Sequence, residues 1–103
     1  MDLDQEILDH LRDRGADLTK PHEVEFYVYF PTQEAAQTAS HEITPEGFRV
    51  QILADASGKR WLCLSLKEFV PDLGTIKAYK QKFDAIATPY GGHCDSWGTQ
   101  VEK

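Results

Sequence analysis

The sequence predicts an α+β sandwich in which two helices cover one face of an antiparallel four-stranded sheet, with a further helix at the N-terminus. Three observations predict it. Residues 23–30 alternate apolar and polar side chains with period two and run straight into a Pro-Thr helix start. Two further alternating segments flank Ser57-Gly58-Lys59, as in a hairpin. A second helical stretch then leads through Pro89 to a short glycine-rich tail with room for one last strand.

Each element has its own reason. Residues 2–14 place Leu3, Ile7, Leu8 and Leu11 at helical spacing, and Gly15 follows where a helix end uses left-handed geometry. From Glu23 to Phe30, Val24, Phe26, Val28 and Phe30 point one way while Glu25, Tyr27 and Tyr29 point the other. Pro31 ends that strand, and Thr32 caps a helix through about Ile43 whose inward face is Ala36, Ala39 and Ile43. Pro45 and Gly47 mark a turn. Phe48, Val50 and Ile52 then alternate, and Trp61 to Phe69 forms the partner strand. From about Asp72 to Thr88, Ile76, Tyr79, Phe83, Ile86 and Ala87 keep helical period until Pro89 breaks it. Residues 92–101 supply the last strand. No repeat, low-complexity stretch or interdomain linker is apparent. After the N-terminal helix the order is βαββαβ, the split βαβ or ferredoxin-like arrangement. The expected organisation is one domain over residues 1–103, with the first helix in 1–15 and the ferredoxin-like core in 22–101.

Composition bounds the function. A chain of 103 residues suits one compact core without obligatory disulfides or metal. Its 41% hydrophobic and 27% charged residues are an ordinary soluble balance. The acidic N-terminus lacks the basic and apolar regions of a signal peptide, so a cytoplasmic protein without membrane attachment is expected. A formal charge of -6 disfavours direct nucleic-acid binding, which normally uses a basic surface to neutralise phosphates. Lys77, Lys80 and Lys82 lie close together, but on a segment that also reads as an ordinary solvated helix face.

The most specific stretch is Tyr90-Gly91-Gly92-His93-Cys94-Asp95-Ser96-Trp97-Gly98-Thr99. Its glycines permit sharp turning or close approach, and Trp97 carries an N–H that needs a partner if buried. This stretch resembles the closing G-G-x-(Y)-D-G-W-G motif of the RraB family, the bacterial regulators of ribonuclease E activity B. Gly91, Gly92, Asp95, Trp97 and Gly98 fall on the motif, whereas Cys94 stands where an aromatic is usual and Ser96 where a glycine is usual. The resemblance implies the same ferredoxin-like fold. It also implies a non-catalytic bacterial regulator that contacts a protein partner, the endoribonuclease RNase E, and restrains its cleavage of RNA.

A binding surface is expected on the sheet. If Leu62, Leu64 and Leu66 join Val24, Phe26, Val28 and Phe30 beneath the helices, then Trp61, Cys63 and Ser65 emerge opposite them with Tyr27, Tyr29, Arg49 and Gln51. Tyr27, Tyr29 and Trp61 are the candidate interface residues. That face is either a docking surface or the place where the N-terminal helix buries Leu3, Ile7, Leu8 and Leu11. A sheet-face RNA binder is a rival reading, but no K/R-G-F/Y-G/A-F-V-x-F/Y segment is present.

The remaining chemistry is sparse. Cys63 and Cys94 should flank the first strand, two strand spacings or roughly 9–10 Å apart, too far for a disulfide. Two free thiols are expected. His10, His22, His41 and His93 lack ligand spacing, so neither metal nor cofactor is called for. His93, Cys94 and Asp95 define the enzymatic or ligand-binding alternative. The competing account has Asp95 accepting backbone N–H groups in a tight turn while Trp97 closes the core.

Overall fold

The computed structural model describes residues 3–99; Met1, Asp2 and residues 100–103, including Val101 of the expected last strand, lie outside the described residues. The element order is α1 (Leu3–Asp13), β1 (His22–Phe30), α2 (Gln33–Ile43), β2 (Arg49–Ala54), β3 (Trp61–Phe69), α3 (Leu73–Ala87) and β4 (His93–Thr99). The strands form one open sheet in the order β2-β3-β1-β4, every neighbouring pair antiparallel. The fold class is α+β, as the alternating and helical periods predict.

Local chemistry sets the boundaries. Thr32 accepts the Ala35 N–H at the start of α2, and Asp72 accepts the Thr75 N–H at 3.0 Å to start α3. Both helices end alike. Thr44-Pro45-Glu46-Gly47 follows α2 and Thr88-Pro89-Tyr90-Gly91 follows α3, each a 3-10 turn closed by a left-handed glycine at φ 91° and 76°. Each threonine hydroxyl donates back into its helix, to Ser40 O and Asp84 O. Upstream, Phe30-Pro31-Thr32 and Phe69-Val70-Pro71-Asp72 end a strand and cap a helix in the same way. The chain therefore uses the same local solution twice to start and to stop a helix between strands.

Val24, Phe26, Val28 and Phe30 are buried under α2 and α3, with Ala36, Ala39 and Ile43 from α2 and Ile76, Phe83 and Ala87 from α3. Phe26 lies 4.9 Å from Phe83 and 5.8 Å from Phe48, centroid to centroid, and Phe48 lies 5.1 Å from Tyr79. These rings form the centre of the core.

One parity differs from expectation. Val28 pairs with Cys63, Phe26 with Ser65 and Phe30 with Trp61, so Trp61, Cys63, Ser65 and Phe69 share the helix face while Leu62, Leu64 and Leu66 point to the open face. A one-residue change of parity moves every side chain across the sheet. The physical reason lies in size. Trp61 and Phe69 fill the ends of the helix layer, while small Cys63 and Ser65 leave room for helices at the centre, where three leucines would crowd them. The arrangement buries Ser65 Oγ with no strong hydrogen-bond partner among the described residues, the neighbouring Cys63 sulfur being a weak one. Such a group costs about 1–3 kcal/mol. Aromatic burial at both ends of β3 outweighs it.

The Asp72 cap yields a prediction. The Thr75 hydroxyl and N–H both donate to Asp72 and hold its carboxyl below the usual carboxylate range. A depressed carboxylate stabilises fully above its unfolded pKa, and that contribution is lost as pH falls through the folded value. Asp72→Ala should cost about 1 kcal/mol at neutral pH, with the deficit narrowing below about pH 4. Urea unfolding at both pH values checks this, and a pH-independent deficit would contradict it.

Candidate functional site

The tail motif divides between two faces of the sheet. Gly91 supplies the left-handed turn and Gly92 the close approach: a Cβ on Gly92 would stand 2.5 Å from Tyr29 O and 2.6 Å from the Phe30 ring. Trp97 pairs with Phe26, enters the helix layer and is 4% exposed. Gly98 pairs with Glu25 on the other face, where an added Cβ would come no closer than 4.0 Å to Tyr27. The first two glycines and the tryptophan are structural. Gly98 leaves the open face flat beside Tyr27.

Asp95 does not occupy a tight turn. It is an exposed residue where the β1–β4 register shifts, with Tyr27 opposite Ser96 and Val28 opposite Cys94. The carboxylates that serve this region come from elsewhere in the sequence. Asp84 on α3 accepts the Cys94 N–H at 2.7 Å. Asp4 on α1 accepts the Trp97 indole N–H at 3.1 Å and the Lys80 ammonium at 2.9 Å, and is itself buried. Sequence reasoning missed Asp4 because its partners lie 76 and 93 positions away. The available signal was the unpartnered indole. Together Asp4, Lys77, Lys80, Gln81 and Asp84 line a shallow surface depression of about 210 Å³.

These bonds place the N-terminal helix. Trp97 faces the helix layer, so a carboxylate that reaches it stands on that side of the sheet. Accordingly α1 packs along α3, burying Leu8 and Leu11, while Leu3 is 71% exposed rather than inward. Tyr27 and Tyr29 keep partial exposure, and the open face is not where α1 buries its stripe.

The open face can be read row by row across the strands. Leu53, Leu62, Tyr29 and His93 form the first row, and Gln51, Leu64, Tyr27 and Ser96 the second. Arg49, Leu66, Glu25 and Gly98 form the third, beyond which Glu68 stands opposite Glu23. One end is apolar and the other acidic. Arg49 pairs with Glu23 across β3, and Leu66 beneath that crossing is only 7% exposed. The Arg60 guanidinium lies 3.8 Å from the Tyr29 ring centre and is held by Asp55 at 3.2 Å. The Tyr27 hydroxyl donates to Glu25 at 2.7 Å, and that bond pushes its pKa up to about 12. Trp61 is absent from this face; it lies half-buried on the helix side, so the expected trio with Tyr27 and Tyr29 is not brought together.

The enzymatic alternative is not assembled either. His93 pairs with Tyr29 on the open face, whereas Cys94 pairs with Val28 on the helix face. Burial pushes the Cys94 thiol up to about 12, with the nearby Asp84 carboxylate acting in the same direction. Burial alone pushes Cys63 up to about 11. Both cysteines are free and flank Val28 from opposite strands, the separation expected from the topology. A protonated thiol is a poor nucleophile. Lys80 and Lys82, two of the three clustered lysines, pair with Asp4 and Glu46.

Residues 1–99 match the sequence profile of the family described as "RraB: Regulator of ribonuclease activity B". The chain belongs to the RraB family. It is also 28% identical over 102 residues to the "Regulator of ribonuclease activity B" of Pseudoalteromonas atlantica (strain T6c / ATCC BAA-1087), an alignment covering 95% of this chain and 87% of that relative. Among the described residues no helix is long and apolar enough to cross a membrane.

Two predictions follow from how this RraB chain divides its motif. Gly92→Ala should lose more than about 2 kcal/mol through overpacking, while Gly98→Ala stays within about 0.5 kcal/mol of the parent; equal losses in urea unfolding would contradict the division. Asp4→Ala should cost about 1–3 kcal/mol by leaving the indole and ammonium without that carboxylate. In a double-mutant cycle with Trp97→Phe, the two losses should be non-additive by at least about 0.5 kcal/mol, and strict additivity would remove the indole bond from the account.

Proposed function

We propose that this chain is a non-catalytic regulator that binds an RNase E-like endoribonuclease through protein–protein contact and restrains its cleavage of RNA in the bacterial cytoplasm. The observation that carries the proposal is the open sheet face. Two tyrosines and a leucine row stand there uncovered by α1, in a chain whose family is named for regulating a ribonuclease. Half-buried tyrosines supply contact area at low entropic cost. The charge of -6 favours a basic partner surface through on-rate and orientation.

Direct RNA binding receives less support from the same face. Arg60 already covers one side of the Tyr29 ring, and Glu23, Glu25 and Glu68 would repel phosphates. The regulator therefore acts on the enzyme rather than on its substrate.

Calorimetric titration against RNase E from the same organism, whole and as separate catalytic and scaffold pieces, tests the proposal at two salt concentrations. Saturable binding to one piece that weakens with salt is the expected result. No heat up to high micromolar concentrations would overturn it.

A further inference from the structure

We propose that the open sheet face is the docking surface for the ribonuclease, and that its occupant is a basic amphipathic helix of that enzyme. This inference rests on the regulator reading above and deepens it by naming the surface and the chemistry of the docked segment. The apolar side of the helix seats on Leu53, Leu62, Leu64 and Tyr27, and its Lys or Arg side chains meet Glu25 and Glu68.

Charge complementarity fixes the second half of that statement. Glu68 stands directly opposite Glu23, and Glu25 is the next residue of β1 on the same face. Like charges directly opposite across a strand pair are destabilising. Arg49 pairs with Glu23 and compensates that carboxylate, whereas Glu68 opposite it forms no ion pair among the described residues and is left for a partner cation. The acidic end is thus primed for positive charge in a chain that is already net negative.

The apolar end fixes the first half. Leu53 is 45% exposed, and Leu62 and Leu64 are half-buried rather than fully covered although β3 is a central strand. The three described helices lie elsewhere: α2 and α3 cover the opposite face and α1 packs along α3. A half-covered sheet with leucines outward lacks the layer that normally buries them. A helix with apolar residues at i, i+4 and i+7 lays one stripe across adjacent strands while its flank reaches the acidic end.

Leu53→Asp and Glu68→Lys alter the face at exposed positions without touching the core, and Glu34→Lys on α2 matches the second charge change on the opposite side. Each purified full-length variant, shown folded by circular dichroism and thermal melting, is titrated against the same ribonuclease and sedimented alone. Leu53→Asp and Glu68→Lys should each weaken binding at least about tenfold, Glu68→Lys with a shallower salt dependence, while Glu34→Lys stays within about twofold of the parent. Parent-like binding by both face variants, with weakening by Glu34→Lys, would overturn the proposed surface and leave the regulator reading standing. Absence of binding by the parent would overturn both. A parent dimer dispersed by Leu53→Asp would also overturn the proposal, since the occupant would then be a second copy of this chain.

Discussion

Asp4 accepts from the Lys80 ammonium and the Trp97 indole, and the location of α1 depends on that carboxylate. The indole sits beneath the helix layer because Trp97 pairs with Phe26. Its N–H would cost free energy if buried without an acceptor. The acceptor comes from the first helical turn in the chain, so satisfying the last strand draws the N-terminal helix onto α3. The consequence reaches the other side of the sheet: with α1 committed to the helix layer, no described helix covers the Leu62–Leu64–Tyr27–Tyr29 surface, where only the Arg60 guanidinium lies over Tyr29.

Much of this fold is legible in the sequence because local rules specify it. The alternation of Val24, Phe26, Val28 and Phe30 gives the strand and its buried face, Thr32 gives the helix start, and Ala36, Ala39 and Ile43 give the face of α2 that packs inward. Gly91 and Gly92 mark backbone demands that act at their own positions, a left-handed turn and a contact with Tyr29 O. The twin Thr-Pro-x-Gly helix endings were legible too, yet easily passed over. They repeat a solution to one local problem, stopping a helix and starting a strand, while the surrounding side chains differ.

The facing of β3 was not legible from its leucines. Leu62, Leu64 and Leu66 outrank Cys63 and Ser65 in hydrophobicity, and a strand read alone places leucines inward. The parity goes with packing against α2 and α3, which places Trp61 and Phe69 at the ends of the helix face and small Cys63 and Ser65 between them. Those helices are distant in sequence. The same cause removed Trp61 from the expected interface and supplied leucines in its place. The tail misled in a related way: Asp95 is adjacent to Trp97 in sequence but Asp4 and Asp84 hold the region.

The resulting molecule has two chemically different sides. One is closed by aromatic rings and three helices, with its ion pairs at Lys80 and Lys82 already satisfied. The other runs from leucines to carboxylates and is open. The position of α1 separates this account from one in which the first helix covers the sheet. Nuclear Overhauser contacts to the side chains of α1 in the isotope-labelled chain measure that position. The account predicts contacts from the Trp97 indole N–H to α1 and from the Leu8 and Leu11 methyls to the helix layer. Contacts from those methyls to the rings of Tyr27 and Tyr29 would contradict it.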